Sequence, residues 1–128
     1  MKIVSVLLFL TVLVNADYVH WLGNYDKALK KAKKEHKNLL VYLVKNSCKP
    51  CNNTITKQFM HKNYIKTINN KFVSIIVTYE GKTSYPIEMY YSTIFPTLFF
   101  VNTKTESFLS PPLYSDKIDD KSILEAIK

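Results

Sequence analysis

The sequence predicts an α/β fold, with a sheet covered by helices on both faces, and three observations carry that prediction. Two stretches, Leu39 to Val44 and Phe72 to Tyr79, are dense in apolar and β-branched residues, the pattern of strands with no wet face. Segments with apolar residues at helical spacing precede and separate them. The only two cysteines, Cys48 and Cys51, stand two residues apart just beyond the first stretch, where a strand would hand over to a helix.

The elements follow in order. Met1-Lys2, the apolar run Ile3 to Val14 and the small-residue site Val14-Asn15-Ala16 read as a signal peptide, residues 1–16, cleaved to leave a domain of residues 17–128. The apolar run falls well short of the ~20 residues a membrane-spanning helix needs. One domain of that length is large enough for a single core. Tyr25 to Lys37 reads as an amphipathic helix capped by Asn24. Tyr25, Ala28, Leu29, Ala32 and His36 form its apolar side, and six lysines fill the rest as a solvated face. Leu39 to Val44 is a buried central strand. A helix from Pro50 to about Phe59 follows the cysteines, with Pro50 in the first turn, where a missing N–H costs little. Asn63 is positioned to cap a second short helix carrying Tyr64, Ile65 and Ile68, and Phe72 to Tyr79 is the next strand. Residues 80–83 form a loop and Tyr85 to Tyr91 a short helix. Thr97 to Val101 and Glu106 to Leu109 are a strand pair, Pro111-Pro112 ends it, and Asp119 to Lys128 is a terminal helix.

Eighteen basic residues face ten acidic ones, and every basic residue is lysine. Cleavage after Ala16 would remove only Lys2 among the charged residues, leaving a net charge of about +7. Without arginine's planar fork, nucleic-acid binding is not expected. A structural zinc needs four ligands, and His20, His36 and His61 do not lie at ligand spacing to the cysteines, so no metal site is expected. Nor does the chain carry a Cys-x-x-Cys-His haem signature, a phosphate loop or a serine-nucleophile motif. No cofactor is called for.

What remains is the chemistry of Cys48-Lys49-Pro50-Cys51. Two thiols at this spacing can alternate between dithiol and disulfide, and a sulfur at a helix N-terminus has its thiolate favoured by the dipole. Outside the cytosol such a pair can persist oxidised.

The helix leading through Asn38 into Leu39–Val44 and the cysteine pair, the segment Tyr90 through Phe95-Pro96-Thr97-Leu98-Phe99-Phe100, and the 48 residues between Cys48 and Pro96 together resemble the thioredoxin fold. Within it, the chain is most similar to small secreted or periplasmic thioredoxin-like proteins. The resemblance runs from about Trp21 to the C-terminus and implies a central mixed β-sheet flanked by helices. It also implies roles. Cys48 is the attacking, more exposed thiol and Cys51 the resolving, more buried one. Lys49 aids the thiolate and Pro50 stiffens the loop. Pro96 holds a cis peptide beside the sulfurs, where the Phe95 backbone can pair with a substrate chain; an ordinary trans proline starting an edge strand is the alternative. The expected activity is reduction of protein disulfides by an exported monomer drawing electrons from a membrane donor. Proline before the second cysteine resembles the family's reductases, while Lys49 pulls mildly towards the oxidants.

Two residues depart from the family pattern. Ser47 stands where an aromatic commonly precedes the first cysteine, and Tyr42 where a buried acid assists the resolving thiol. A tyrosine, with an unperturbed pKa of ~10, is no carboxylate base at neutral pH. Water, a lysine, or Glu88 if it lies close would have to accept the proton. These departures leave open a second class of function, a binding or scaffolding module whose disulfide is structural. Trp21 is expected to anchor the first helix to the sheet, and Tyr91 and Phe95 to form an apolar docking surface.

Overall fold

The computed structural model describes residues 18–82 and 84–128. The leader expected at residues 1–16, like the domain's first residue, lies outside them. In chain order the elements are β1 (Trp21–Leu22), α1 (Tyr25–Glu35), β2 (Asn38–Val44), α2 (Lys49–Gln58), α3 (Ile65–Lys71), β3 (Phe72–Thr78), β4 (Thr97–Asn102), β5 (Ser107–Phe108), β6 (Leu113–Tyr114) and α4 (Asp120–Ala126), with a 3-10 turn at Ser115–Lys117 before α4.

The sheet is mixed, in the order β1-β3-β2-β4-β5, with β6 also on β4. β2 lies at its centre, parallel to β3 (Val41 beside Ile75) and antiparallel to β4 (Val41 beside Phe99). Side chains alternate along each strand, so the uniformly apolar runs feed two cores. Leu40, Tyr42, Leu98 and Phe100 point to one face, under Phe59, Ile65, Ile68 and Ile123 from the α2, α3 and α4 side. Leu39, Val41, Leu43, Phe99 and Val101 point to the other, under Tyr25, Ala28 and Ala32 of α1 and Tyr90 of the long β3–β4 connection. Asn24 caps α1 by accepting from the Lys27 N–H, and Asp119 caps α4 through the Ser122 N–H.

Several local expectations are corrected. Residues 85–91 make turns joined by a single Tyr90 N–H to Pro86 carbonyl bond of 3.2 Å, not a helix. The ring of Tyr90 is instead drawn into the core between Phe99 and Tyr25. Asn63 does not cap α3: Tyr64 occupies that position, without a side-chain cap. Its hydroxyl turns back to the Gln58 carbonyl. His36 does not pack. It is exposed and ends α1 in a left-handed conformation (φ 55°), with its N–H bonded to the Ala32 and Lys33 carbonyls. Trp21 packs on the sheet, but on the face away from α1. β1 pairs with β3, and the indole lies 5.5 Å from the Tyr42 ring and 5.2 Å from that of Phe59.

Candidate functional site

β2 delivers the cysteines. After Val44 the chain runs through Lys45, Asn46 and Ser47, and Ser47 takes a left-handed φ of 53°. That turn sets Cys48 as the N-cap of α2, with Lys49 and Pro50 as the first helical residues. Pro50 is thus in the first turn, where its fixed φ suits the helix. Lys49 and Pro50 are exposed.

Cys48 and Cys51 form a disulfide, with Cα atoms 5.3 Å apart. The Cys51 N–H donates to Cys48 Sγ at 3.2 Å, so the first sulfur receives one of the orphan donors of the helix start. In the reduced protein the same donor and the dipole would stabilise a thiolate there. Cys48 is 5% exposed and Cys51 2%. Cys48 is the more open of the two by a small margin, and both are buried.

The second half of the site arrives from β4. Leu43 of β2 lies opposite Thr97, so Pro96 and the cysteine loop emerge at the same end of the central strands. The Phe95–Pro96 peptide is cis. Its loop is braced from within: Ser92 Oγ accepts from the Ile94 N–H at 3.0 Å, and the Thr97 hydroxyl lies 2.9 Å from that of Ser92 and 2.6 Å from the Ile94 carbonyl. The Pro96 carbonyl accepts from the Ser115 N–H at 2.8 Å. Phe95 is half-buried, its ring 5.5 Å from that of Tyr79, and Lys45 Nζ sits 5.4 Å from its centroid. Tyr91 is 64% exposed and Ile94 46%. Glu88 is exposed on the turn before Tyr90.

Tyr42 is wholly buried beneath α2, and its hydroxyl donates to the Cys51 carbonyl at 2.8 Å. Burial pushes its pKa up from 10, opposed in part by a hydrogen bond with the Thr54 side chain. A neutral hydroxyl committed to a backbone carbonyl ties strand to helix, and it cannot accept a proton at neutral pH.

Sequence reasoning placed Cys48, Lys49, Pro50, Cys51, Phe95 and Pro96, and the fold gathers all six at one end of the sheet. It missed the brace of Ser92 and Thr97, the seating of Phe95 between Tyr79 and Lys45, and the Tyr42 bond. Only the last left a signal, a tyrosine alone in an apolar strand.

A thioredoxin fold with a Cys-x-x-Cys disulfide at a helix start, at the same end of the sheet as a cis-proline loop, defines the class. The chain belongs to the thioredoxin-like family, whose model matches residues 20–103. A comparison with curated protein sequences gives no match. Among solved structures, a candidate disulphide-isomerase from Bacteroides thetaiotaomicron is similar with a TM-score of 0.70 and 25% identity, over 88% of this chain and 93% of that one. A thioredoxin from Thermus thermophilus gives 0.67 and 18% over 86% and 85%. The DsbH oxidoreductase gives 0.63 and 18% over 91% and 90%. The latter two likenesses speak to the fold alone.

Proposed function

We propose that the chain is an exported, monomeric thiol–disulfide oxidoreductase that reduces protein disulfides. The observation that carries the reading is the Cys48 sulfur at the cap of α2, bonded to the Cys51 N–H and set at the same end of the sheet as cis-Pro96.

In the dithiol form, the Cys48 thiolate attacks one sulfur of a substrate disulfide. A mixed disulfide forms, the substrate S–S bond breaks, and one substrate thiolate leaves and takes a proton from water. Cys51 then loses its proton to water and attacks Cys48 Sγ. The intramolecular disulfide forms and the second substrate thiol is released, so the substrate gains two electrons and the protein loses two. A membrane-borne dithiol returns the protein to the reduced state by the same exchange in reverse. Phe95 and the neighbouring loop receive the substrate chain, and Lys49 favours the thiolate. The apolar leader at residues 3–14 supports export.

The trapping experiment is direct. With Cys51→Ser, a disulfide-bonded protein substrate is expected to accumulate as a mixed disulfide through Cys48, seen on a non-reducing gel; Cys48→Ser should give none. One observation favours a second reading, the burial of both cysteines, which suits a binding module with a structural disulfide. No adduct with folded Cys51→Ser would put that reading in place of the first.

A further inference from the structure

The outward side of α1 carries chemistry the redox site does not use. Tyr25, Ala28 and Ala32 point into the core, and the opposite side is formed by Lys27, Lys30, Lys31 and Lys34. These lysines stand three and four apart, the spacing at which like charges on a helix repel. Lys27 also lies in the first turn, where the dipole disfavours a cation. Among the described residues none of the four has an acidic partner; the ion pair α1 does make, Lys33 to Glu106 at 4.0 Å, lies to one side. Lys34 lies in the last turn, where the dipole favours a cation, and Asp26 and Glu35 stand four residues from Lys30 and Lys31. Even so, the outward side keeps a ridge of excess cations with no ion-pair partner among the described residues.

We propose that this ridge docks the protein on an anionic phospholipid surface. Two features favour a bilayer over an acidic protein. The ridge has no aromatic or aliphatic anchor of the kind that dominates specific protein interfaces. It is built of lysine, a hydrated point charge suited to diffuse attraction, and not of arginine, which reads carboxylates bidentately. Because α1 and α2 cover opposite faces of the sheet, docking through α1 does not cover the α2 side, whose start carries the cysteines. The proposal is independent of the redox reading, and either can fail alone.

The test is sedimentation of the full chain with vesicles of phosphatidylglycerol and phosphatidylcholine, with pure phosphatidylcholine as reference, so that any contribution of residues 3–14 is common to both. Binding should be stronger to the anionic vesicles and lose that excess at 0.5 M salt, where screening shortens to about 4 Å. Lys30→Gln with Lys34→Gln should weaken the excess about twenty-five-fold, since each lysine near such a surface contributes roughly fivefold. The same change at Lys57 and Lys66, which are exposed on α2 and α3, should leave most of the excess. Glutamine keeps helix propensity and relieves repulsion, so the variants stay folded. Equal binding to both vesicle types overturns the proposal, as does an equal loss from the two double variants, which would mean net charge alone. Retention on immobilised polyglutamate without vesicle binding overturns it in favour of an acidic protein partner.

Discussion

Replacing Tyr42 by phenylalanine removes one hydroxyl from a site with no access to water and leaves the ring contacts with Trp21 and Phe59 in place. The lost bond is the 2.8 Å donation to the Cys51 carbonyl. A buried acceptor deprived of its partner costs about 1–2 kcal/mol, which lowers Tm by roughly 4–8 °C in a domain of this size. The pH dependence makes the test sharper. Burial raises the folded pKa of Tyr42 above its unfolded value of ~10. Its contribution is therefore complete below pH ~10 and is lost as pH rises from there towards the folded pKa, because the unfolded chain releases the proton first. By pH 11 that loss amounts to about 1 kcal/mol. Tyr42→Phe should be less stable than the parent near pH 7 and close to it by pH 11, in urea unfolding followed by circular dichroism. A gap that stays constant with pH would mean the hydroxyl is hydrated in the fold. Thiol exchange should keep its pH profile in the variant. A folded Tyr42→Phe with exchange abolished would refute the assignment of Tyr42 as a strut and make it part of proton transfer.

The other predictions concern the walls of the site. Phe95→Ala should lower turnover of a protein disulfide several-fold while the domain stays folded, since the ring is only half-buried against Tyr79; unchanged turnover would remove Phe95 from the site. Trp21→Ala should destabilise by about 2–3 kcal/mol, below the range for a fully buried aromatic. The loss should appear as faster amide exchange in α2, because the indole supports Phe59 and Tyr42 beneath that helix. Faster exchange confined to α1 would contradict that placement.

Chemistry and scaffold differ in how far the sequence reveals them. Cys48-Lys49-Pro50-Cys51 and Phe95-Pro96 are legible because local residue types and their separation specify a strand-to-helix junction and a proline-led strand. The main strands are legible because full burial demands continuous apolar runs. The two-residue strands β1 and β6 are not, since pairing to β3 and β4 creates them without a pattern of their own. Residues 85–91 read as a short helix with Pro86 suited to its first turn. The deciding influence was tertiary, the pull of Tyr90 into the core to meet the Tyr25 hydroxyl at 2.8 Å. His36 read as a core residue on helical phase, and the helix ended one residue before it. A tyrosine alone in an apolar strand signals a buried hydroxyl that needs a partner, but the partner, the Cys51 carbonyl, depends on the turn at Ser47 that lays α2 over β2.

The central claim is that the Cys48–Cys51 pair is a working redox couple. Its most direct test is equilibration of the protein with glutathione buffers of graded ratio, read by alkylation of free thiols. Exchange of the folded protein within minutes is predicted, with a midpoint on the reducing side of the glutathione couple. A pair that exchanges only after the protein is unfolded would contradict the account and make the disulfide structural.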